Sequence, residues 1–160
     1  MRNTSKHPSA IPKRAFSNGA SLIEILVALL VVSMGVLGMA AMQIRALKGN
    51  HSSMQRTQAV MMSYYILDAM RVDKDSAKGL DYNTGSPICD PAAVTGSTLA
   101  KVNLKHWIES LKVTVGNTSE LTTCGSVTCG STGQCTVQVI WDDARAGGMG
   151  SQVVETQTNL

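Results

Sequence analysis

Charge is scarce in this chain and unevenly placed. Asp, Glu, Lys and Arg make up 16% of 160 residues, and no acid occurs before Glu24. Arg2, Lys6, Lys13 and Arg14 fall in the first 19 residues, leaving ten basic against eleven acidic side chains in the remainder. The positive balance of the whole chain therefore belongs to its start. A nucleic-acid partner needs a basic patch or stripe on the folded domain, and the remainder shows none, so no nucleic acid is expected. Histidine is rare, and His7, His51 and His106 are dispersed. No Ser/His/Asp or Cys/His set, glycine-rich phosphate loop or paired-carboxylate site emerges, which argues against an enzyme. Cysteine is absent before Cys89, no Cys-x2-Cys pair occurs, and no histidine lies near Cys124, Cys129 and Cys135. Zinc fits such spacing poorly, so neither metal nor cofactor is expected. Aromatic residues are only 4% of the chain, and no repeat or extended low-complexity tract is apparent.

What is plentiful is aliphatic side chain near the start. From Leu22 to Met42 only Glu24 and Ser33 are clearly polar among 21 residues. A helix of that length crosses a bilayer core. An ionisable group inside such a segment is costly in lipid and marks function by default. Basic flanks stay on the cytoplasmic side, so the rest of the chain is expected in the periplasm or outside. Gly35 and Gly38 lie within the apolar run, where small residues let helices approach closely.

The stretch Gly19-Ala20-Ser21-Leu22-Ile23-Glu24, followed by Ile25 to Val32, resembles the class III signal of type IV pilins and type II secretion pseudopilins. The resemblance implies cleavage by a prepilin peptidase between Gly19 and Ala20, before the apolar run. An ordinary secretory signal is cut after it. Ala20 stands where the family usually has phenylalanine, and the resemblance implies a possible N-methylation there. It also gives Glu24 a role in assembly. The helix dipole favours a first-turn carboxylate by only a few tenths to about 1 kcal/mol. A cationic partner offsets more of the desolvation cost. The family implies that this partner is the amino terminus of an adjacent subunit.

Beyond the span, Gln43 to Met70 lacks proline, and Met54, Met61, Tyr65 and Val72 recur at spacings of 7, 4 and 7, with Val60, Tyr64 and Leu67 beside them. This is helical amphipathic periodicity, and the methionine-rich stripe reads as the face packed on a globular head. A helix from about 21 to 72 would be roughly 80 Å long. Residues 73 to 100 carry turn and breaker signals. Leu99 to Leu111 reads as a short helix with Leu104, Trp107, Ile108 and Leu111 on one face. Lys112 to Val115 alternates like a strand. Gly116 to Gln134 reads mostly as loop, with Val127 in a short strand. Cys135 to Trp141 is the clearest strand, ended by Asp142-Asp143 and Gly147-Gly148. The tail from Val153 reads as an edge strand or a frayed end.

Four cysteines in an exported domain read as disulfides with three possible connectivities. The five residues between Cys129 and Cys135 suit a staple of the loop entering the last strand, which would leave Cys89 with Cys124. A head of roughly 90 residues buries a modest share of its surface, and two bridges would compensate.

Leu104-x-x-Trp107, a strand, and then Val137-x-Val139-x-Trp141-Asp142-Asp143 look like the PilV-type minor pilins of type IV pili. Read on their own, both tryptophans are core residues and the two aspartates shape a turn. The expected fold is α+β and type IV pilin-like. It comprises a leader (1–19), a transmembrane and assembly helix (20–44) and a periplasmic head (45–160) that includes the amphipathic half of the long helix, packed on a small antiparallel sheet. The implied function is pilus assembly initiation or fibre modification; the alternative is a minor pseudopilin of a type II secretion system. Implied partners are other minor pilins, the major pilin, the prepilin peptidase and the inner-membrane assembly platform. The implied location is single-pass in the inner membrane, then in the pilus fibre.

Overall fold

The structure is a computed structural model, and it describes Gly19, residues 21–144 and residues 147–160. The leader cluster and Ala20 lie outside the described residues. The chain divides into two compact units after Ala40. Helix α1 runs from Leu22 to Val72 and belongs to both. Its first turn is set by the Ser21 carbonyl, which accepts the N–H groups of Glu24 and Ile25. No proline interrupts its 51 residues.

In the first unit the helix is apolar all round. An 18-residue window has a mean hydropathy of 2.6, with none of it buried. By length and composition this segment can cross a membrane. The Ser33 hydroxyl donates to the Leu30 carbonyl at 2.8 Å, so its polarity is satisfied within the helix.

The second unit holds the rest of α1, α2 (Lys74–Lys78), a 3-10 turn (Pro91–Ala93), α3 (Leu99–Thr114) and strands β1 (Cys124–Cys129), β2 (Gln134–Asp142) and β3 (Ser151–Asn159). The breaker-rich stretch 73–100 thus contains two short helical pieces. Asp73 leaves helical dihedrals after α1, and its carboxylate accepts the Ser76 and Tyr82 hydroxyls at 2.7 and 3.2 Å. Such side-chain bonds compete with helix continuation. The Asn103 amide donates to the buried Tyr82 oxygen at 2.8 Å, linking the end of α1 to α3.

Helix α3 is capped by Thr98, whose hydroxyl accepts the Lys101 N–H. It buries Ala100, Leu104, Trp107, Ile108 and Leu111. The strand expected over 112–115 is instead the end of this helix. The Val115 N–H bonds the Leu111 carbonyl, and Val115 is buried while Val113 is exposed. The helical period already linked Leu104, Ile108, Leu111 and Val115, and over four residues alternation imitates it. Lys112 reaches the Cys89 carbonyl with its ammonium at 3.2 Å.

The sheet is antiparallel in the order β1–β2–β3. Val127 faces Val137, Cys129 faces Cys135, and Val139 faces Val154. Its inner face packs against α1 and α3, with Val127, Val137, Val139 and Trp141 buried. The Trp107 indole donates to the Met62 carbonyl at 2.9 Å. Gly125 makes room for that ring, since a Cβ there would stand 2.5 Å from Cη2. The loop expected over 116–134 gives way to a six-residue strand at Cys124, and the tail is a full nine-residue strand. The layout is α+β: a long apolar N-terminal helix and a small antiparallel sheet.

Candidate functional site

Two surfaces of α1 stand out. The first is its apolar beginning. Glu24 sits in the first turn and is the only acid of the run, exposed like its neighbours. Gly35 and Gly38 have open space where a Cβ would project. Gly19 is exposed, and the cleavage position beside it involves Ala20, which lies outside the described residues.

The second surface corrects the sequence reading. The face of α1 packed on the head is Gln55, Ala59, Ser63, Ile66, Leu67 and Met70. Met54, Met61, Tyr65 and Val72 are 51, 60, 50 and 89% exposed, on the opposite side of the helix. Both sets obey the 3.6-residue period, so periodicity could not rank them. Shape and hydrogen bonding select between them. Ala59 is small and buried, and the buried Ser63 hydroxyl is satisfied by the Ala59 carbonyl at 3.0 Å. The Gln55 amide donates to the Val115 carbonyl at 3.0 Å. Met54, Met61 and Tyr65 are left outside, although Met70 is fully buried on the packed face. Of the residues beside the expected stripe, only Leu67 is buried, Val60 is half-buried and Tyr64 is half exposed.

The cysteines form two disulfides, Cys89–Cys124 and Cys129–Cys135. The second closes the β1–β2 hairpin at facing positions, and the first ties residue 89 to the start of β1. The segment between Asn83 and Cys89 lies along β1. Asn83 exchanges hydrogen bonds with the Cys129 backbone, Thr84 with Val127, and Ile88 with Gly125.

Both tryptophans are core residues. The paired aspartates differ. Asp143 is buried, and its carboxylate accepts the Ser52 hydroxyl at 2.8 Å and the Gly150 N–H at 2.9 Å. It therefore ties the β2–β3 turn to α1. Gly148 is required beside it, because a Cβ there would collide with the carboxylate. Asp142 is exposed and accepts the Ala144 N–H. Sequence reading anticipated a turn but missed the tether, because Ser52 lies 91 residues away.

A groove of about 410 Å3 is lined by Lys48, His51, Gln55, Asn117 and Asp142, among others. Among the described residues, no hydrogen bond joins His51 to a hydroxyl or carboxylate, and no group of three or more His, Cys, Asp or Glu is placed to hold a metal. Burial, with the nearby Asp73 carboxylate, pushes the Tyr82 phenol above its ordinary value, partly opposed by the Asn103 amide. Hydrogen bonds from Gln138 and Gln157 lower the Glu155 carboxyl below its ordinary range. No protein-family model, curated protein or solved structure matches this chain.

Proposed function

We propose that this chain is a non-catalytic minor pilin, cut by a prepilin peptidase between Gly19 and Ala20 and then incorporated, through α1, into a type IV pilus or its initiation complex. One observation carries the reading: the apolar first part of α1, unburied throughout, holds a lone carboxylate, Glu24, in its first turn. In lipid such a charge is costly. Against a neighbour's new amino terminus it becomes the complement that orders one subunit beside the next. The exposed Met54, Met61, Tyr65 and Val72 support the same reading, since they line one side of α1 with apolar side chains that a partner could cover. Its partners are then other minor pilins and the major pilin, met at the inner-membrane assembly platform.

The test is Glu24→Ala, followed by cross-linking to other pilins, with sheared surface fibres counted in parallel. The variant should be translocated and cleaved, with a mature terminus at Ala20, yet fail to enter the complex. Wild-type association and incorporation, or N-terminal sequencing that finds Met1 intact, overturns the proposal. Recovery of the chain with a secretion machine, and never in fibres, assigns it to the pseudopilins instead.

A further inference from the structure

The two edges of the sheet are finished differently. On β1 the outward-facing backbone groups belong to Gly125, Val127 and Cys129. All three positions are bonded by the segment 83–88, through Ile88, Thr84 and Asn83. On β3 the ladder to β2 is bounded by Asp143 N–H to Gly150 O and by Leu160 N–H to Gly133 O. Antiparallel pairs alternate between bonded and unbonded. Gln152, Val154, Thr156 and Thr158 therefore bond inward, and the N–H and C=O groups of Val153, Glu155 and Gln157 point out. Among the described residues no hydrogen bond meets that outward set.

Edges are normally blunted by lysine, proline, a bulge or shortness. Strand β3 is nine residues long, unbulged, and contains neither lysine nor proline. Its one charge is Glu155, held in place by the Gln138 and Gln157 amides at 2.8 and 2.9 Å. Val153, 52% exposed, lies on the same face two residues away.

We propose that the free edge of β3 is a docking site for an extended segment of another protein, added as a fourth strand with a basic side chain opposite Glu155 and an apolar one opposite Val153. Main-chain bonds supply affinity in such strand addition, and alternate side chains supply choice of partner. The charge argues against a second copy of this chain. Two β3 edges paired antiparallel about Glu155 set like carboxylates opposite each other, which is destabilising. Shifting that register to separate them gives up ladder bonds. A lysine or arginine there instead forms a charge-assisted bond. The surface is separate from the α1 stripe and does not depend on the function proposed above.

The test uses the full chain in detergent micelles and capped peptides Thr-Val-Thr-Lys-Thr-Val-Thr and Thr-Val-Thr-Glu-Thr-Val-Thr, with residue-resolved amide exchange as the readout. With the lysine peptide at about ten times its Kd, the amides of Val153, Glu155 and Gln157 exchange about tenfold more slowly. Those of Val154, Thr156 and Thr158, already bonded to β2, slow by no more than that same factor, and the glutamate peptide protects less. Glu155→Lys reverses the preference between peptides. Val153→Pro removes one outward donor while sparing the β2 ladder, as prolines at edges do, and weakens protection at Glu155 and Gln157. Absence of slowing with either peptide, or equal slowing by both in wild type and Glu155→Lys, overturns the proposal. So does slowing that rises with protein concentration alone, which makes a second copy the occupant.

Discussion

Within the second unit, α1 carries two apolar stripes on opposite sides, and only one is buried. The buried one contains Gln55, Ala59 and Ser63 among its six residues; the exposed one is Met54, Met61, Tyr65 and Val72. By hydrophobicity alone the exposed set is the better core. The head nevertheless takes the side that mixes small, polar and branched residues with Met70, where the Gln55 amide donates to the Val115 carbonyl and the Trp107 indole to the Met62 carbonyl. Trp107 illustrates why: its indole must reach the Met62 carbonyl, and its ring must lie against Gly125. The other stripe is left exposed.

The largest expected effect comes from removing the residue that enforces this choice. Trp107→Ala should destabilise the head by about 3–5 kcal/mol, seen as a lowered denaturant midpoint. A loss under about 1 kcal/mol would mean the ring does not select the face. Next comes the pair that compares the stripes directly. Ile66→Ala should cost about 2–5 kcal/mol, whereas Met61→Ala should stay within about 0.5 kcal/mol, as surface substitutions do. Association, read by cross-linking, should show the reverse: Met61→Ala weakens it and Ile66→Ala spares it under conditions where the head is folded. Equal stability losses would dissolve the comparison.

The smallest effect is a dependence on pH. The Tyr82 phenol is raised in the folded head, so its contribution is fully present below the unfolded value near 10. It is lost as pH climbs through the higher folded value, because the unfolded chain gives up its proton first. Denaturation followed from pH 8 to 11 should therefore show stability falling above pH 10, and Tyr82→Phe should flatten part of that fall. The exposed stripe has no share in this bond, so a fibre-association change over the same range that survives Tyr82→Phe would come from elsewhere.

Much of the architecture was legible in local patterns. A proline-free run, apolar to Met42 and amphipathic beyond it, and the breaker signals that begin at Asp73 mark α1 from Leu22 to Val72. Alternation over Cys135 to Trp141 marks β2, and the short gap between Cys129 and Cys135 matches their bridge across facing positions of the hairpin. These features depend on neighbours along the chain, so the chain displays them. The strand expected over 112–115 failed because four residues cannot separate a period of 2 from one of 3.6. The candidate site was legible in part: Glu24 stands out by contrast with its surroundings, while the tether from Asp143 to Ser52 and the sealing of β1 by 83–88 join residues remote in sequence.

By itself, then, the sequence determined the long helix α1, the strand β2, the lone acid of the apolar run and the cysteines available for bridging, because helix period, hydrophobic length and residue chemistry are local properties. Only the tertiary structure decided which stripe of α1 faces the head and which edge of the sheet stays open. Those depend on how closely Trp107, Gly125 and the segment 83–88 fit surfaces far from them in the chain, and no local pattern carries that information.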